Sequence, residues 1–153
     1  MSSTTTLSAL PAEHRERLMR IARDASFPAG TRIFDEGGRA DRFWIIRTGS
    51  VVLDMHVPGH RLTSIETLGR DELLGWSWLF PPYIWQLGAV AQSPVRAAEF
   101  DAPAVRLMCE DDPALGTVVG HWVGRVLAHR LRVARVRLLD LYAPDDREGG
   151  AGD

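Results

Sequence analysis

The hydrophobic pattern of the chain changes period twice, and the three stretches it defines predict three kinds of element. Between positions 11 and 23, Leu18, Ile21 and Ala22 fall on one face while Arg15, Arg17, Arg20 and Arg23 lie mostly on the other, with Pro11 at an early helical position. This predicts a short helix over 11–23. From Phe27 to about Asp101 the apolar residues are β-branched or aromatic and come in short runs, at 31–34, 43–47, 50–56, 61–68, 88–92 and 95–100, divided by Gly, Pro and Asp. Gly37-Gly38, Thr48-Gly49 and Pro58-Gly59 supply corners and a hairpin tip, so this stretch predicts a small β-roll or barrel over 27–101. A third pattern opens at Pro113 and runs without proline to Tyr142, stopping before Pro144. It predicts one long helix over 113–142, and the whole pattern predicts a mainly β domain with flanking helices.

The long helix carries two apolar stripes. Leu115, Val119, Trp122, Val126, Val133 and Val136 advance by three- and four-residue steps, interrupted at His129, while Val123, Leu127, Leu131, Ala134, Leu138 and Leu141 form a second stripe beside them. A roll covers one stripe, and the same helix of a second subunit is the plain candidate to cover the other. The dimer contact is assigned to the first. Gly116, Gly120 and Gly124 repeat at four-residue spacing and each costs about 1 kcal/mol against alanine. Close approach of another backbone is one reason for them; loosely formed first turns are the other.

Composition narrows the function classes. The length of 153 residues fits one domain, and 45% apolar with 25% charged residues is a globular composition able to bury a core. Net charge is −2, and all 18 basic residues are Arg. The single Cys109 excludes an internal disulfide framework and a multi-thiolate metal site, and suits a reducing compartment. With no signal-type N-terminus and no eighteen-residue apolar run, a cytoplasmic protein without membrane contact is expected. Residues 1–8, rich in Ser and Thr, and 145–153, acidic and Gly-rich, are expected to be disordered, leaving 10–142 as the folded domain. G-x-S-x-G, H-E-x-x-H and Walker-type loops are absent, so no catalytic residue is assigned and an enzyme is not expected. His56 and His60 flank a hairpin tip where solvated histidines are common, and His121 and His129 are too far apart to chelate together. No metal or cofactor is assigned. Cys109 reads as a small buried hydrophobe, and Glu110-Asp111-Asp112 as a negative entrance to the long helix.

The stretch from Phe27 to Val51, with Gly30, Asp35-Glu36-Gly37-Gly38, Phe43-Trp44-Ile45-Ile46 and Thr48-Gly49 in place, resembles the cyclic-nucleotide-binding domain of the catabolite-activator and kinase-regulatory-subunit family. The resemblance covers roughly 10–142. It implies an eight-stranded β-roll, a double-stranded β-helix of jelly-roll type, with a short N-terminal helix and a long C-terminal helix. Ile33, Phe43, Ile45, Val51 and Leu53 then alternate toward the roll interior.

The resemblance also implies a phosphate-binding cassette, in which a strand ends in Gly-Glu, a one-turn helix follows, and an Arg about ten residues later meets the cyclic phosphate. The corresponding stretch here runs from Gly69 to Ala91. Gly75 takes the glycine position, but Trp76 stands where the ribose-binding Glu is expected and Trp85 where the phosphate-binding Arg is expected. A charge-assisted bond to phosphate contributes about 1.5–3 kcal/mol, and a buried phosphate without its counter-charge costs more than that. Binding of cyclic AMP in the usual way is therefore not expected. The candidate ligand-binding residues are Gly75, Trp76, Ser77, Trp78, Trp85 and Gln86. Trp76, Trp78, Tyr83 and Trp85 read either as a pocket rebuilt for a flat or apolar small molecule, nucleotide-like or otherwise, or as a plug in a pocket without a ligand. Arg70 and Arg96 are the cations nearest in sequence that could supply charge.

The functional expectation is a stand-alone regulatory or adaptor domain that works as a homodimer on a protein partner. A sensor of a different small molecule is the alternative, and a transcriptional regulator contacting DNA through the Arg-rich helix is a further one. Arg125 and Arg132 share one side of the helix and Arg130 and Arg137 another, so they form no single stripe, and DNA is not expected as a partner. Family transcription factors continue into a helix-turn-helix, for which 143–153 are too few residues, so no such domain is expected.

Overall fold

A computed structural model describes residues 5–142. Eight strands form two four-stranded antiparallel sheets around one hydrophobic core: β1 (Arg23–Phe27), β2 (Arg32–Phe34), β3 (Arg42–Thr48), β4 (Val51–His56), β5 (Leu62–Leu68), β6 (Leu73–Leu74), β7 (Gly88–Ala91) and β8 (Val95–Asp101). One sheet has the order β1-β8-β3-β6 and the other β2-β7-β4-β5. Three helices flank them: α1 (Ala12–Arg20), α2 (Ala102–Asp111) and α3 (Pro113–Tyr142). Among the described residues no helix is long and apolar enough to cross a membrane.

The six expected runs are all strands. Two further strands complete the eight: β1, whose polar sequence pairs residue by residue with β8, and the two-residue β6 against β3. Helix α2 is also additional. Asp101 caps it by accepting the Ala104 N–H at 3.3 Å, and Ala102 and Val105 bury its inner face. This corrects the acidic run: Glu110 lies near the end of α2 and Asp111 ends it, and only Asp112 opens α3, accepting the Ala114 and Leu115 N–H groups at 3.1 and 3.3 Å. Arg17 of α1 pairs with the same carboxylate, and the two sets of donors hold Asp112 below the usual carboxylate range. Residues 5–8, expected to be disordered, are part of the fold. Thr6 is buried and bridges to Glu72, Leu7 donates its N–H to Asp71 at 2.9 Å, and the Trp122 indole N–H reaches the Thr5 carbonyl at 3.3 Å. The expected acidic tail at 145–153 lies outside the described residues.

Strand β3 is buried on both faces, from Phe43 to Ile46. Trp44, rather than Phe43, joins the two sheets: its ring lies 5.8 Å from Phe34 and 6.0 Å from Phe27. Phe43, on the opposite face by alternation, stacks on Phe100 at 4.7 Å and on Trp78 at 4.0 Å. In the second sheet Arg32 reaches across β7 to grip Asp54 of β4 with two bonds, at 2.5 and 2.7 Å, and bonds Asp35 at 2.6 Å. A side chain at Gly88 would collide with this pair. Asp54→Ala is expected to cost about 1.5–3 kcal/mol, because the lost bonds are charge-assisted and the carboxylate is 5% exposed. A chemical denaturation midpoint unchanged by the substitution would contradict this.

The first stripe of α3 is covered from within the chain. Leu115, Val119, Trp122 and Val126 are each 2% exposed or less and belong to the core, so they are not free to make a dimer contact. Val133 is half-buried and Val136 exposed, facing Ile65 of β5 across a shallow groove. The reason is simple packing: the roll and α2 lie against the first half of the helix and take the better stripe. In the second stripe Val123 is also buried, while Leu127, Ala134, Leu138 and Leu141 are only half-buried and Leu131 is 69% exposed. The glycines divide in the same way. A Cβ at Gly116 would stand 2.8 Å from the Cys109 carbonyl, so that glycine admits α2, whereas Gly120 and Gly124 face open space.

Candidate functional site

The chain between β6 and β7 forms the site. After Leu74 the backbone turns at Gly75 with φ +94°, a conformation that favours glycine, and a single 3-10 turn follows at Ser77–Leu79. The indole of Trp85 lies directly over Gly75, so close that a Cβ there would stand 2.5 Å from the ring. That ring stacks on Phe34 at 4.0 Å and 14°, lies 6.3 Å from Trp44, and is 5% exposed. The Trp85 backbone is fixed by the Gly37-Gly38 turn: Trp85 N–H donates to Gly38 and Gly37 N–H to Trp85, both at 2.9 Å. Two glycines that the strand pattern marks only as a corner thus hold the residue that fills the site.

The remaining cavity measures about 10 Å³. That is room for about one water. Gly75, Trp76, Ser77, Trp85 and Gln86 line it as expected, together with Phe34, Leu53, Leu87 and Arg130. Trp78 does not. It is fully buried on the other side, stacked on Phe43, with its indole N–H on the Gly75 carbonyl at 3.1 Å. Tyr83 also turns away, under the Arg106 guanidinium at 4.0 Å from its ring centre; Arg106 in turn donates to the Trp78 carbonyl at 2.6 Å. The four aromatics therefore divide: two face the site and two brace the loop against the core and α2.

Neither Arg70 nor Arg96 lines the cavity; the cation that does so comes from α3. Arg130 is 6% exposed and donates to the Leu73 carbonyl. Its Nε lies 3.8 Å from Glu66 of β5, beyond hydrogen-bond distance, and the other Glu66 oxygen meets His129 Nε2 at 2.9 Å. Burial lowers the Arg130 pKa to about 10, against the opposing attraction of Glu66 and Glu72. A signal for this residue exists in the sequence, because Val119, Val123, Val126 and Arg130 continue one buried line with an arginine where an apolar residue is due. Cys109 is half-buried between α2 and α3, and desolvation raises its thiol pKa, as fits a packing role. No cluster of His, Cys, Asp or Glu suited to a metal ion occurs among the described residues.

The family profile of the cyclic nucleotide-binding domain matches residues 25–112. The chain belongs to the cyclic nucleotide-binding domain family. Within it, the chain is 30% identical over 128 residues to a CRP-like cAMP-activated global transcriptional regulator of Mycobacterium tuberculosis, a match that covers 84% of this chain and 55% of that relative. It thus spans about half the length of the curated relatives it matches. Among solved structures, a cyclic nucleotide-binding domain from Methylobacillus flagellatus superposes with a TM-score of 0.78 at 19% identity, covering 91% of this chain and 82% of that one. The catabolite activator protein of Thermus thermophilus gives 0.72 at 23% identity, covering 92% and 63%. These two likenesses are of fold. The resemblance drawn from the sequence assigns Gly75 to the cassette glycine and puts Trp76 and Trp85 at the positions of the ligand's ribose and phosphate partners.

Proposed function

We propose that this chain is a regulatory domain of the cyclic nucleotide-binding family in which Trp85 fills the site itself, so that cyclic AMP is not bound in the usual way. The observation that carries this reading is the stack of Trp85 on Phe34 over Gly75, which leaves about 10 Å³ where small-molecule sites offer about 300–1,000 Å³. The domain works as a dimer. Its seam is the second stripe, corrected for Val123, with Gly120, Gly124, Leu127, Leu131, Ala134, Leu138 and Leu141 alternating at the spacing of a coiled coil, none of them buried in the single chain. Output passes to a protein partner. The α3 arginines support this over DNA contact, since Arg130 is buried and Arg137 is bonded to the Ser64 carbonyl at 3.1 Å.

Calorimetric titration with cyclic AMP and cyclic GMP tests the reading. No affinity tighter than micromolar is expected for either; nanomolar binding would overturn it. A sensor of another small molecule remains the second reading, favoured by one observation: Arg130, a buried cation, lines the cavity, with its Nε 3.8 Å from the Glu66 carboxylate and so beyond hydrogen-bond distance.

A further inference from the structure

Arg130 occupies a singular place on α3. It is the last buried side chain of the helix; Leu115, Val119, Trp122, Val123 and Val126 precede it, and no residue from 131 to 142 is buried. Beyond it, α3 meets the β4–β5 hairpin through partly or fully exposed groups on its own side: Arg137 to the Ser64 carbonyl, the Tyr142 hydroxyl to the Pro58 carbonyl at 3.0 Å, the Tyr142 ring edge-on to His60 at 5.6 Å, and Val133 and Val136 across a shallow groove from Ile65. Arg130 is therefore the last buried anchor between α3 and the roll.

The other end of the Arg130 side chain lies at the cassette. Strand β6 is an edge of its sheet, and Arg130 bonds Leu73, two residues before Gly75, while Arg130 also lines the same cavity as Trp85. Glu66 stands near enough to neutralise the guanidinium through space, and His129 holds that carboxylate from the next position on α3. One side chain thus links the filled cassette to the middle of the seam proposed between Gly120 and Leu141.

We propose that Arg130 is a built-in clamp, a positioning residue that fixes the outer half of α3 to the Trp85-filled cassette and so holds the dimer seam in one arrangement without an effector. The proposal rests on the reading of the cassette as filled. Together, Trp85 and Arg130 place within the chain both a ring that fills the site and a polar link from site to helix.

Amide hydrogen exchange on the full chain, with Arg130→Met and Arg130→Lys, tests the clamp. Arg130→Met keeps length and apolar bulk but removes the donors. In it, residues 127–142 are expected to exchange at least about tenfold faster, the loss of about one charge-assisted bond, while β3, β4 and β8 keep their protection. The dimer dissociation constant is expected to rise in parallel, and Arg130→Lys to recover part of both effects. Unchanged exchange in 127–142, or faster exchange spread evenly over the roll, would overturn the clamp. So would a lysine variant no better than the methionine one. Tight cyclic AMP binding by the unmodified chain would instead overturn the filled cassette, and that titration reads out independently of the exchange pattern.

Discussion

Trp85→Ala is expected to lower folding stability by about 3–5 kcal/mol, the usual range for emptying a buried tryptophan site, and so to remove a large share of the about 5–15 kcal/mol that a domain possesses. Three contacts are lost together: the stack on Phe34, the wider contact with Trp44, and the cover over Gly75. The flanking backbone bonds to Gly37 and Gly38 remain available, so the loop keeps its anchor while the space behind it empties. The substitution supplies no counter-charge for a phosphate, and no gain in cyclic nucleotide affinity is expected. Urea titration followed by circular dichroism measures the stability change. A loss below about 1 kcal/mol would mean that the indole does not pack in the site, since exposed positions usually fall within that range.

Leu131→Glu together with Leu138→Glu is expected to convert the proposed dimer to monomer without unfolding the roll. Both residues lie on the proposed seam, Leu131 is 69% exposed and Leu138 half-buried, and neither belongs to the core. Two leucines per protomer make four per dimer, each contributing about 1.5–3 kcal/mol when buried, so the dissociation constant should rise at least about a thousandfold. Light scattering coupled to size exclusion reads the mass directly. A parent chain that is monomeric at micromolar concentration, or a doubly substituted chain that stays dimeric, would contradict the assignment of the seam. Substitution of Val119 or Trp122 is a useful contrast, because those side chains are core and their loss should unfold the domain rather than dissociate it.

The strands were legible where alternation is strong. Runs such as 43–47 and 50–56 carry enough β-branched and aromatic residues, bounded by Gly and Pro, to mark themselves. β1 was not, because Arg23, Asp24 and Ser26 make it polar and its pairing with β8 is fixed by the sheet rather than by its own residues. β6 is too short for any period to show. α2 carried a readable signal, the Asp101 cap followed by Pro103 with Ala102 and Val105 one turn apart, but it follows β8 without a turn between them.

On α3 the periodicity marked two stripes, and the stripe assigned to a second subunit is the one the roll covers through Leu115, Val119, Trp122 and Val126. Periodicity measures which residues share a face; it does not say which face the roll takes, and here the roll takes the one with Trp122. The cassette shows the same limit. That Trp76 and Trp85 face the site followed from the family resemblance, and that Trp78 and Tyr83 turn away depends on stacking with Phe43 and Arg106, which are distant in sequence. For Arg130 the sequence shows an arginine on a buried line, but its contact with the cassette arises only when α3 is laid beside β6.

Native mass spectrometry of the freshly purified chain tests the filled cassette most directly. A site closed by its own tryptophan predicts the mass of the bare polypeptide, as monomer and dimer, with no additional component. A co-purified small molecule, released when Trp85 and Phe34 are separated by denaturation, would contradict it.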